Sequence, residues 1–255
     1  MTLRSQLGKL RAEMLSAVHS RPLPLHNQGP VVTFCFDDFP RTAYTTGGAI
    51  LRNFGVRGTY YAALGLMGTT NELGDQLRPE DIDSLLTDGH ELGCHTFSHL
   101  SCRTTSFRLF ESDVLKGRQA IQALTGCDAG NFAYPRGHVS VRSKKRIGVL
   151  MNSCRGIYGG INDPAADLNL LRANSLYGDV DQHSRFRSLL AANVARRGWL
   201  IFYTHDVREN PSAFGCTPAL FNQTVALAAE SGCRIVSIKE ALAIFSKSSS
   251  RPFPS

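Results

Sequence analysis

Val31-Val32-Thr33-Phe34-Cys35-Phe36-Asp37-Asp38-Phe39-Pro40 is an apolar run of strand length that ends in two adjacent carboxylates and a proline. Neighbouring carboxylates repel each other and must be hydrated or paired. A fold that keeps them at the end of a strand usually has a cation to place there. Taken alone, the pair is equally what opens a turn before Pro40. A second cluster, His95-Thr96-Phe97-Ser98-His99, also stands where a strand runs out, and the two together turn the reading toward a metal.

Outward from that strand the chain alternates. Apolar periodicity and punctuation by Gly and Pro predict helices over 46–54, 80–88, 106–124, 141–150, 184–197, 218–230 and 239–245. Strands are expected over 58–64, 91–95, 132–135, 153–158, 168–176, 199–203 and 233–238. Pro79 stands at the first turn of its helix, with Glu80, Asp81 and Asp83 at the positive end. Strands alternating with helices indicate a parallel sheet, and seven or eight such units in about 220 residues suggest closure into a (β/α) barrel. The expected layout is an N-terminal segment 1–29 holding an amphipathic helix over 3–18 and a linker, a catalytic domain over 30–245, and a disordered tail over 246–255. In a barrel the C-terminal strand ends form one rim. Asp37, Asp38, His95, His99, Tyr134, Pro135, Arg136 and His205 all fall at or just after such ends.

Composition narrows the function classes. The chain has 255 residues, 42% apolar and 19% charged, with a formal charge of +7. The basic excess is scattered and no basic helix interleaves with aromatics, so nucleic acid is not an expected partner. An anionic substrate is compatible with the charge without being implied by it. Seven cysteines, an odd number without a C-x-x-C pair, predict a reducing compartment. Met1 to Val18 lacks the continuous apolar core of a signal peptide, and no stretch has the length of a membrane span. The expectation is a soluble cytoplasmic protein; oligomeric state is left open.

Two imidazoles four residues apart and a carboxylate from another strand make three ligands, the number a catalytic zinc site offers while keeping a position for water. Water activated there needs a base for its proton and an acid for the leaving group. The ordered motifs Phe36-Asp37-Asp38-x-Pro40, His95-x-x-x-His99, Phe132-Ala133-Tyr134-Pro135-x-Gly137 and Tyr203-Thr204-His205 resemble those of the polysaccharide deacetylase family, the NodB-homology domain of carbohydrate esterase family 4. The resemblance covers about residues 30–240. It implies an α/β fold, a distorted (β/α)7-type barrel, and hydrolysis of N-acetyl groups on an aminosugar.

By the same resemblance, Asp38, His95 and His99 would bind one divalent metal, Asp37 would be the general base, and His205 the general acid. Two imidazoles and a carboxylate suit Zn2+, with Co2+, Ni2+, Mn2+ and Fe2+ allowed by the same ligands. Tyr134, Pro135 and Arg136 would contact substrate. Because Pro135 has no N–H, the backbone donor for an oxyanion would be Arg136.

The third motif departs from the best-known members, with Ala133 where they carry an Arg and Arg136 where they carry a Tyr. That Arg normally holds the catalytic Asp. A subgroup with this variant motif uses an Arg from a later strand, and Arg172 in Leu170-Leu171-Arg172-Ala173-Asn174 fits that position, the alternative being an exposed edge residue. The expected substrate is an N-acetylated sugar, glycan precursor or short oligosaccharide. The rivals are hydrolysis of another C–N bond, of the ureide or cyclic-imide type, and a non-catalytic carbohydrate-binding protein.

Overall fold

The structure, a computed structural model, describes residues 14–25 apart from 16, and residues 28–248. Seven parallel strands form the central sheet: β1 (Val31–Asp38), β2 (Thr59–Ala62), β3 (Glu91–Cys94), β4 (Asn131–Ala133), β5 (Ser153–Arg155), β6 (Asn174–Ser175) and β7 (Trp199–Thr204). Their order is β6-β7-β1-β2-β3-β4-β5, and a short β8 (Arg234–Ile235) adds to the first half of β1. The two edges meet at a seam. Leu171 bridges Arg155 of β5, while Asn174 three residues later pairs with Phe202 of β7. The sheet is thus curled into the distorted barrel that the motifs imply.

The helices pack outside: α1 (Ala49–Asn53), α2 (Pro79–Thr87), α3 (Phe107–Thr125), α4 (Val141–Leu150), α5 (His183–Arg196) and α6 (Pro218–Glu230), with α7 (Ile238–Ser248) closing the far end. Their ends follow local chemistry. Ser106 Oγ accepts from Leu109 N at the start of α3, which stops at Gly126 in the left-handed region. Thr217 Oγ1 accepts from Leu220 N ahead of Pro218. None of the described helices is long and apolar enough to cross a membrane.

Strand parity decides what faces the barrel interior, because side chains alternate sides at every residue. On β1, Val32, Phe34 and Phe36 join the layer between sheet and helices. Val31 and Cys35 face the lumen with Tyr61, Ala133, Ile201 and Tyr203, and Asp37 continues that inward row. Phe245 of α7 packs on Trp199 from below, with ring centroids 5.6 Å apart, so the floor is apolar.

Three expectations are corrected. The strand over 168–176 is confined to Asn174–Ser175 in the main sheet, since the Asn162 side chain bonds both the N–H and the C=O of Arg172 at 3.0 Å and takes the place of a neighbouring strand. Ala165–Asp167 pairs instead with Pro22–Pro24 in a separate antiparallel ribbon. The helix over 46–54 begins as a π-helical turn at Ala43–Gly48, where Gly47 lies so near Phe36 that a Cβ would sit 2.8 Å from the ring. Most of the helix expected over 3–18 lies outside the described residues. Of the expected tail, 246–248 continues α7 and the rest is outside them too.

Candidate metal and catalytic site

The rim cavity is lined by Asp37, Asp38, His95, His99, Arg136 and His205, with Tyr177, Tyr203 and Phe214 on the side of His205. The ends of β1, β3, β6 and β7 and the turn after β4 bring these residues together from five parts of the chain.

Three ligand atoms converge. His95 Nε2 and His99 Nε2 lie 3.3 and 3.1 Å from Asp38 Oδ1, and one ligand atom from each residue lies within 4.8 Å of the others. Ligands about 2.0–2.1 Å from a tetrahedral zinc stand roughly 3.3 Å apart, so the spacing fits. The proton inventory fits as well. His95 Nδ1 lies 2.8 Å from the Ala133 carbonyl, which can only accept, so Nδ1 carries an N–H and Nε2 is the ring atom turned to Asp38. Asp38 Oδ1 is buried without a hydrogen-bond donor. Two imidazole nitrogens and a carboxylate oxygen turned toward one buried point are a donor set that a divalent cation fits.

The electrostatics point the same way. Burial opposes the charge on Asp38, yet the surrounding His95, His99 and His205 outweigh it and hold its carboxyl well below the usual range. Burial, reinforced by His95 and Arg136 against the pull of Asp38, pushes the His99 imidazole down to about 4. At neutral pH His99 is therefore uncharged, the form in which an imidazole can bind a metal.

The backbone around the ligands is strained. Asp38, Phe39, Thr96, His99 and Arg136 all have φ between 56° and 63°, a left-handed conformation that costs a residue with a Cβ about 1 kcal/mol or more. The segment from His95 to His99 is held in it by α3. Asp113 accepts from Phe97 N, Ser98 N and Ser98 Oγ at 3.2, 2.9 and 3.0 Å.

Asp37 is held by Arg155, not Arg172. Arg155 Nη2 donates to Asp37 Oδ1, its Nη1 donates to the Gly156 carbonyl at 2.8 Å, and its guanidinium lies between the rings of Tyr61 and Tyr203 at 5.2 and 4.8 Å. Arg172 lies between inward-facing Leu171 and Ala173, so parity turns it out of the barrel, where Nη1 meets the Gly159 carbonyl at 3.2 Å. The same rule corrects Tyr134. With Ala133 inward, the Tyr134 ring goes to the outer layer against Phe132. Tyr134 and Pro135 are buried beneath the rim and not in the cavity wall, which Arg136 does reach.

His205 stands across the cavity, its Nε2 4.0 Å from Asp38 Oδ2. Its Nδ1 lies 3.1 Å from the Phe214 carbonyl, which fixes the ring and leaves Nε2 toward the cavity. Asp206 does not orient it. That carboxylate is fully buried and bonds Ser212 and Arg208, folding the loop that carries Phe214. The sequence reading missed Arg155, Asp113 and Phe214.

The polysaccharide deacetylase family profile matches residues 26–150, the stretch that carries Asp37, Asp38, His95, His99 and Arg136. Over those residues, just under half of its length, the chain is similar to that family. A peptidoglycan-N-acetylglucosamine deacetylase of Bacillus cereus is 29% identical over 94 residues. That match covers 36% of this chain and 40% of the relative's length. Among solved structures, the chitin deacetylase of the fungal pathogen Colletotrichum lindemuthianum superposes with a TM-score of 0.60 at 21% identity, covering 84% of this chain and 88% of that one. A family 4 acetyl xylan esterase of Clostridium thermocellum, solved with cobalt, gives 0.55 at 19% identity, covering 84% and 91%. These structures share the fold.

Proposed function

We propose that the protein is a metal-dependent hydrolase that removes N-acetyl groups from an aminosugar-containing glycan or glycan precursor. The observation that carries this is the convergence of the Asp38, His95 and His99 ligand atoms on a cavity whose walls also present Asp37 and His205. A divalent cation at those ligands, zinc by the donor set, supplies a Lewis acid that polarises the amide carbonyl and acidifies water.

The chain's own groups supply the rest. Asp37 has Oδ1 fixed by Arg155, and Oδ2 takes no protein donor among the described residues. From there it accepts the proton of the attacking water. The Arg136 N–H is the donor offered to the carbonyl oxygen as it gains charge. His205, fixed through Nδ1, delivers a proton from Nε2 to the departing nitrogen, so the C–N bond breaks to give acetate and a free amine. Phe214, 49% exposed in the wall beside His205, offers a face for a sugar ring. A reducing compartment, the cytoplasm, suits seven cysteines that are all free.

The test is metal analysis of the purified protein with acetate release from N-acetylglucosamine oligomers before and after chelation. Near-stoichiometric metal, loss of release on chelation and recovery with zinc are expected. Asp37→Asn is expected to retain the metal and lose about a thousandfold in turnover. Failure to bind zinc or cobalt after reloading, or full turnover by Asp37→Asn, overturns the reading.

A further inference from the structure

Among the described residues, Arg136 is the single Lys or Arg in the cavity wall. Arg41, Arg52, Arg118, Arg146, Arg155 and Arg208 each meet a carboxylate. Arg136 forms no ion pair among the described residues, with Glu72 of the same wall or with any other acid. Its guanidinium is exposed at the cavity, a permanent cation open to an incoming anionic group.

Its placement is fixed. Arg136 has φ 58° and ψ 14° between Pro135 and Gly137. Gly137, itself at φ 61°, is pressed by Ile157 so closely that a Cβ would sit 2.2 Å from Cγ1. Two residues on, His138 Nδ1 lies 2.6 Å from Ser101 Oγ, tying this turn to the segment whose Ser101, Thr104 and Thr105 also line the cavity. An exposed guanidinium in a wall that also carries the Thr104 and Thr105 hydroxyls offers donors suited to a carboxylate or a phosphate.

We propose that the sugar accepted here carries an anionic substituent, a carboxylate or a phosphate, bound by the Arg136 guanidinium while its acetamido group lies between Asp37 and His205. The proposal rests on the deacetylase reading and names its substrate class.

The test compares N-acetylglucosamine (neutral), N-acetylmuramic acid (carboxylate) and N-acetylglucosamine 6-phosphate (phosphate) for binding to the zinc-loaded protein by titration calorimetry. The wild type is expected to bind one acidic probe about tenfold more tightly than the neutral sugar, and the identity of that probe names the source of the anion. Arg136→Gln is expected to erase the preference, Arg136→Lys to keep part of it, and added salt to weaken it in the wild type only. Equal binding of neutral and acidic probes, or a preference that survives Arg136→Gln, overturns the proposal. Acetate release from neutral oligomers separates the two readings. Release without an acidic preference keeps the deacetylase and removes the anion site; an Arg136-dependent preference without release does the reverse.

Discussion

Asp37 and Arg155 bury opposite charges together inside the barrel wall, and such a pair is held as much by the cost of breaking it as by its own attraction. Removing Arg155 leaves a buried carboxylate without a partner, at about 3–5 kcal/mol, and frees the group proposed to accept the proton of the attacking water. Arg155→Gln is therefore expected to lower kcat by about 10²–10³ with zinc content unchanged. Arg155→Lys, which keeps the charge, is expected to fold and to recover part of the rate. Arg172→Gln should stay within about threefold of wild type, because among the described residues its guanidinium donates to the Gly159 carbonyl and to no carboxylate. Steady-state kinetics with metal analysis on the three variants decides it, and a larger loss at Arg172 than at Arg155 would sink the assignment. The correct arginine was open to parity reasoning. In Ser153-Cys154-Arg155 the cysteine joins the outer layer, so Arg155 must point in. In Leu171-Arg172-Ala173 the two flanking residues point in, so Arg172 must point out. Reading 168–176 as one unbroken strand ignored that alternation.

At the scale of the element, His-x-x-x-His is not a helical pair here but a loop pinned to α3. Gly117 lets the helix come flush against it: a Cβ there would lie 2.6 Å from the carbonyl carbon and oxygen of Thr96 and 2.9 Å from Phe97 N. Those are backbone atoms between the two ligands, so helix or loop must move. Gly117→Ala is expected to favour the isolated helix and still weaken zinc binding by about 10–100-fold, the range seen when the support of a ligand is lost. Competition with a chromogenic chelator measures it, and exposed Gln119→Ala is the control expected to change nothing. Unchanged zinc affinity in Gly117→Ala would show that the loop holds its shape without α3. The sequence announces the ligands by their chemistry and spacing. It does not announce Asp113 or Gly117, because a buried acid that caps a distant loop and a glycine that admits a close approach look, in sequence, like ordinary members of a helix.

For the whole molecule, alternation of strand and helix was legible because each element carries its own periodicity. The seam at Leu171–Ser175 was not, because a single bridge and side-chain amides replace a ladder there. Stability against acid also belongs to this scale and turns on a histidine outside the site. His90 Nδ1 accepts from Gly58 N at 3.0 Å, and its ring is packed edge-on against Tyr44 and Tyr60, joining the start of β3 to that of β2. Burial first, with the fields of Arg52 and Arg57 against that of Asp88, pushes its pKa in the folded protein from 6.5 down to about 4. Between those values the unfolded chain binds a proton that the folded chain does not. Stability from this group is therefore complete above about 6.5 and is lost as pH falls toward 4, with a slope of at most about 1.4 kcal/mol per pH unit. His90→Gln keeps an acceptor for Gly58 and removes the titration. Urea midpoints of metal-free wild type and variant are expected to converge as pH is lowered from 7 to 4.5, the wild type being the steeper. Parallel curves would mean that His90 titrates alike in the folded and unfolded states, and the acid sensitivity would then have to come from other groups, the carboxylates first.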